Sequence, residues 1–141
     1  MELVFEPGPA RSMRRERWAL TVGVVALAGM AYCHIRDVGM KFDEHVYYMA
    51  ALFCCNIAAS LALLAVALLV ALRRQPFDAR PLWWCAGALA LLTIAGFIWS
   101  RTIGFPQMAD HIGDWDALGV SSLAFEAALA LTSVCALRTR T

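Results

Sequence analysis

The chain has 141 residues, 61% of them hydrophobic and 16% charged, with a formal net charge of +1. A soluble domain of this length carries nearer ~25% charged residues, so a soluble globular protein is excluded. The segments between the apolar runs are too short for a separate soluble domain. There is neither a phosphate-binding glycine loop nor a nucleic-acid signature, and no nucleic-acid partner is expected.

Residues 1–17 read as a basic tail. Within it Glu6-Pro7-Gly8-Pro9 is a turn or extended kink, because proline restricts its own backbone and the residue before it. Ser12 then caps a basic turn leading into Trp18. Four apolar runs follow, residues 18–35, 46–72, 82–99 and 117–137, each near the ~20 residues a helix needs to cross a bilayer core of ~30 Å. The first follows basic residues as a signal peptide would, but its apolar run is long for that role. Tyr32 before Cys33 also fits a lipoprotein cleavage site poorly, so the run is read as a transmembrane helix. The second covers about 27 residues, or ~40 Å, and must tilt or project. The short connection at 73–81 makes the second and third helices antiparallel neighbours. A longer loop at 101–116, containing Gly104, Pro106 and Gly113, leads into the fourth. Residues 22–30 and 57–72 carry no charge at any angle, so the polar stripe of a soluble bundle is missing. The runs do not alternate as barrel strands do. The expected fold is an all-α, integral membrane four-helix bundle, with 18–137 as its single domain and 138–141 as a basic end.

Orientation follows from the cations. Arg11, Arg14, Arg15 and Arg17 precede the first run, Arg73, Arg74 and Arg80 lie between the second and third, and Arg138 and Arg140 follow the last. Only Arg36, Lys41 and Arg101 fall on the opposite side. This positive-inside bias places both termini in the cytoplasm, with the chain in a plasma membrane. Trp18, Trp83, Trp84, Trp99 and Trp115 all lie near the predicted boundaries, where tryptophan anchors at headgroup level.

All three histidines, His34, His45 and His111, fall on the outer side. Asp37, Asp43, Glu44, Asp110, Asp114 and Asp116 accompany them. Imidazole nitrogens with carboxylate oxygens, Glu44 and Asp110 among them, suit a divalent transition metal. His34 closes the first helix and His45 opens the second, so a short loop would bring them together, with His111 approaching from the other loop. The plain alternative is an ordinary solvated loop, polar because arginine and lysine are kept inside. A third is pH sensing by histidine.

Glu126 is the costlier feature, about ten residues into the fourth helix and ~15 Å deep. Asn56 and Thr93 lie at a similar depth on the second and third helices. An ionisable group there costs ~2.5–3.5 kcal/mol on insertion scales, so it must face the bundle or water. Gly119, Ser122, Glu126, Ala130 and Ser133 recur at steps of three or four and form a small, polar packing face. Asn56 and Ser60 make an i,i+4 pair, and Thr93, Gly96 and Ser100 a similar face. The fourth helix is expected to pack inward through Glu126, hydrogen-bonded to Asn56 or Thr93. The carboxyl serves either as interhelical glue or as a proton- or cation-binding group.

Cys33, Cys54, Cys55, Cys85 and Cys135 include no CxxC pair, which counts against thiol-redox chemistry; they read as small apolar filler. The run Ser100-Arg101-Thr102-Ile103-Gly104-Phe105-Pro106, followed by Trp115, Gly119, Ser122 and Glu126, resembles a pattern in small four-helix membrane proteins of high-GC bacteria. Those read S-R-T-x-G-L-P, a variable acidic stretch, then W-x-x-x-G-x-x-S with a later glutamate; Phe105 replaces the usual leucine. The resemblance covers roughly the last third of the chain and implies architecture without an assigned activity. It draws attention to Arg101, which would snorkel to headgroups, hold the loop through Asp110, Asp114 or Asp116, or contact an anionic ligand.

No catalytic constellation is complete, so an enzyme is not the first expectation. The leading one is a small accessory subunit of a larger membrane complex, respiratory or another redox assembly. The alternative is a small proton- or cation-coupled transporter or channel using Glu126, and the second alternative a metal-binding protein using His34, His45 and His111. The expected partners are the lipid bilayer and other membrane subunits or a second copy of the chain.

Overall fold

The computed structural model describes residues 9–72 and 78–138, with side chains from residue 14 onward. Among the described residues the elements are α1 (Pro9–Asp43), α2 (Tyr47–Leu72), α3 (Arg80–Thr102), a single 3-10 turn (Ala109–His111) and α4 (Ala117–Arg138). There is no strand among them. All four helices are long and apolar enough to cross a membrane. The fold is the all-α four-helix bundle that the apolar runs predict. α1 packs on α2 and α4, and α3 on α4, whereas α2 and α3 are the loosest of the four neighbouring pairs. The 73–81 connection therefore joins antiparallel neighbours that stay partly apart.

The largest departure from the sequence reading is the length of α1, 35 residues rather than the 18 from Trp18 to Ile35. It starts at Pro9, where a fixed φ and a missing N–H suit a first turn. Ser12 thus lies within the helix and does not cap it. Glu6 to Gly8 of the expected turn, and Arg73, Arg74 and Arg140, lie outside the described residues. At the other end no proline interrupts residues 36–43, Asp37 precedes Lys41 by the favourable i,i+4 spacing, and Lys41 meets the negative end of the helix dipole. Termination comes from a backbone motif. The Val46 N–H donates to Lys41 O at 3.0 Å and the His45 N–H to Phe42 O at 3.1 Å. This crossed pair requires a left-handed residue between, and His45 supplies it at φ 61°.

The interior is built from small residues on one helix receiving large ones from another. Toward the α1 N-terminal end, Ala19, Leu20, Ala67, Leu82, Trp83 and Ala136 form one cluster. Ala26, Leu27, Met30, Ala86, Ala90 and Leu129 form the next. Trp83 is only 3% exposed, so it is a core residue over Gly23 and not a boundary anchor. Trp18, Trp84, Trp99 and Trp115 are exposed, as interfacial anchors must be. All five cysteines are free thiols, and of these only Cys33 is buried.

A Cβ added at Gly29 would lie 2.6 Å from ring carbons of Phe125, which is closer than packed atoms approach. Gly29→Val is therefore expected to destabilise the bundle by about 1–3 kcal/mol through overpacking. Adding Phe125→Ala should recover part of that loss, because the ring vacates the space. Thermal melts of the single and double variants in detergent check this; strictly additive losses would mean that the two positions are not in contact.

Candidate functional site

Four polar side chains sit at one height. His34 stands nine residues before the end of α1 and Thr93 nine before the end of α3; Asn56 stands nine after the start of α2 and Glu126 nine after the start of α4. With antiparallel neighbours, all four lie ~13 Å below the same end of the bundle. His34 stands at the height that residue counting gives Glu126, Asn56 and Thr93.

The layer divides into two pairs. Glu126 is 1% exposed, and Ser122, one turn earlier on α4, donates its hydroxyl to Oε1 at 2.8 Å. His34 Nε2 lies 3.6 Å from that oxygen, so α1 faces α4 through an imidazole and a carboxyl. Opposite them, Asn56 Nδ2 donates to Thr93 Oγ1 at 2.7 Å, and Thr93 donates to Leu89 O at 2.9 Å. Ser60 anchors Asn56 through its carbonyl at 2.8 Å. The expected bond from Glu126 to Asn56 or Thr93 is not made. Asn56 and Thr93 satisfy each other across the looser α2–α3 side, and α1 brings His34 to Glu126 instead. Two atoms here are buried without a hydrogen-bond partner, Glu126 Oε2 and His34 Nε2. Unmet polar groups of this kind are expensive to bury.

Both residues line a cavity of about 450 Å³. It is bounded by all four helices and by Phe105 and Met108 of the loop after α3, and its remaining walls are largely apolar. It opens where α2 and α3 separate, for its lining includes the exposed Leu52 and Leu92. Its size and its few convergent polar groups are those of a small-molecule site. A closure of under 1 Å would bring His34 and Glu126 to hydrogen-bonding distance, across which a proton can pass.

The end of the cavity nearer the histidines is held shut by charges. Asp116 Oδ1 accepts the Gly119 N–H at 2.7 Å and caps α4, while its Oδ2 accepts from Arg101 at 2.8 Å. Arg101 also approaches Asp114 at 3.9 Å and donates to His111 O at 3.4 Å. Its guanidinium sits over Phe97, 5.2 Å from the ring centroid. Arg101 therefore holds the loop and does not snorkel outward; Asp110 takes no part in that clamp. Tyr48 of α2 donates to Pro106 O. Met108 and Phe105 pack with Val46, Met49 and Phe53 beneath the loop.

The three outer histidines are not brought together. His34 is inside the helix and faces Glu126, while His45 closes the α1 turn with Nδ1 donating to Asp43 O at 2.8 Å. His111 lies 3.6 Å from Glu44 and 4.0 Å from Asp114. Among the described residues no group of three His, Cys, Asp or Glu side chains is arranged to hold a metal ion. The expected proximity failed because α1 continues two turns past His34. No family model, curated protein or solved structure matches the chain.

Lys41 is 5% exposed and donates to Glu44 at 2.8 Å, joining α1 to the charges around His111. That hydrogen bond, reinforced by the charges of Lys41 and His111, holds the Glu44 carboxyl below its usual 4.5. A lowered carboxyl contributes stability above its unfolded pKa and loses it as the pH falls through the folded value. The melting temperatures of wild type and Glu44→Gln should therefore differ at neutral pH and converge below about pH 4.5. A difference that persists unchanged at pH 3 would show that the pair adds no such stability.

Proposed function

We propose that this is a multi-pass membrane protein, with both termini in the cytoplasm, that binds a small ligand within its helix bundle and exchanges a proton at Glu126 and His34. Such a site is what a small proton- or cation-coupled transporter needs, with Glu126 as the coupling carboxyl. The observation that carries the reading is the buried Glu126–His34 pair, 3.6 Å apart on the wall of a cavity, each residue retaining an unpartnered atom. Ionisable groups at such a depth belong to substrate or ion pathways by default. In this orientation the opening between α2 and α3 faces lipid, so a ligand reaches the cavity from the bilayer.

A second reading, an accessory subunit of a larger membrane complex, is favoured by one surface. Ala51, Cys54, Ala58, Ala62 and Ala65 fall on one side of α2 and are all exposed. Small residues in such a row let another transmembrane helix approach closely.

Native mass spectrometry of the protein extracted from its own membrane in mild detergent separates the two. Ligand binding requires a small-molecule adduct on the chain or its homo-oligomer, lost in Glu126→Gln. Stoichiometric foreign subunits without an adduct would replace it with the accessory reading. A bare chain would overturn both.

A further inference from the structure

The charges around the cavity go further and identify the chemical class of ligand; this step rests on the binding reading above. The ionisable side chains on its wall, besides His34 and Cys33, are Asp37, Lys41, Arg101 and Glu126, with Cys55 from α2. The two cations are already matched: Lys41 by Glu44 at 2.8 Å, Arg101 by Asp116 at 2.8 Å and by Asp114 at 3.9 Å. Neither carboxyl is in such an ion pair, although Lys41 and Arg101 act on Asp37 from a longer distance. Among the described residues neither Asp37 nor Glu126 has a lysine or arginine within 4.0 Å. Asp37 follows His34 by three residues, so it lies one turn along the same face of α1, toward the capped end. The imidazole is thus flanked by two carboxyls, and the deeper one has a buried, unpartnered oxygen. Around them stand Phe53, Phe97 and Phe105 with Leu52, Leu89 and Leu92, and Asn56 and Thr93 close the far side.

We infer that the cavity binds a monovalent organic cation with an apolar body, its charged nitrogen between Asp37 and Glu126. A protonated amine donates to the free Glu126 oxygen and to Asp37, and aromatic faces attract a cation further. A bare metal ion is disfavoured, because among the described residues no three His, Cys, Asp or Glu side chains are arranged to hold one. An anionic head is disfavoured because its charge would face two carboxyls, even though Arg101 Nε is buried without a hydrogen-bond partner. The apolar body points toward the gap between α2 and α3.

The test uses three probes that differ only in their head group: n-octylammonium, n-octanol and n-octanoate. Each is titrated calorimetrically into the full chain in maltoside micelles, against empty micelles. The inference expects octylammonium to bind one per chain, about tenfold or more tighter than octanol, with no measurable octanoate binding. Asp37→Asn and Glu126→Gln should each weaken octylammonium by about tenfold or more and leave octanol within about twofold. Asp37 is only half-buried, so Asp37→Asn remains informative if Glu126→Gln fails to fold. Octylammonium binding that is indifferent to Asp37→Asn would overturn the two-carboxyl site. Octanol or octanoate binding as tightly as octylammonium, and weakened by Glu126→Gln, would overturn the cation assignment and leave the cavity as a binding site. If none of the three binds, the ligand-binding reading falls with it.

Discussion

A carboxyl group in the middle of an apolar helix has few acceptable surroundings, and the bundle is arranged around that constraint. On α4, Glu126 cannot face an apolar medium without a penalty of ~2.5–3.5 kcal/mol. It therefore turns inward, and Ser122 and Ser133 turn with it because they share its face. α1 then has to bring a polar group to the same height. It does so through His34, near the end of the apolar run of α1. The small residues follow the same logic: Gly29 lets α1 approach Phe125, and Gly119 lets α4 approach Phe97. Burying one carboxyl thus bears on the face of α4 and the closeness of its contact with α1.

The constraint is only partly relieved. One carboxyl oxygen takes the Ser122 hydroxyl, whereas the other, and the imidazole nitrogen, are left without a partner. On the opposite side Asn56 and Thr93 are fully engaged with each other and with their own helices. The cavity therefore has a satisfied wall and an unsatisfied one. A structural polar layer would close both, since each unmet buried group costs free energy. The unmet side is where chemistry is available.

The capped end shows how the loop after α3 becomes a rigid cover. Asp116 makes two contacts that a single acidic residue can combine, capping α4 and receiving Arg101. Gly104 and Gly113, at φ 87° and 79°, let the loop turn twice, and Gly113 returns its N–H to Arg101 O at 2.8 Å. Phe105 and Met108 then fill the space below. With this end closed, the separation of α2 from α3 is left as the way into the cavity.

Much of this was legible in the residues. Four uninterrupted apolar runs determine four helices, because a helix can satisfy its own backbone along such a run. The spacing Gly119, Ser122, Glu126, Ser133 determines which face of α4 is inward, since that period is the helix's own. The depth of Glu126, Asn56 and Thr93 follows from counting along each helix. The extent of α1 was not legible, because residues 34–43 are polar enough, and with Gly39 weak enough as helix formers, to read as a loop, while containing no proline to stop the helix. Trp83 reads as an anchor from its position, and only the packing of α3 against Gly23 puts it in the core. Nor could the sequence pair His34 with Glu126 or Asn56 with Thr93. Composition and period are properties of one helix at a time, so by itself the sequence determined the helices, their inward faces and their polar heights. Which side chains meet depends on the relative rotation and offset of packed helices, and that is set by how glycine, alanine, phenylalanine and tryptophan interlock across the whole bundle. Only the tertiary structure decided it.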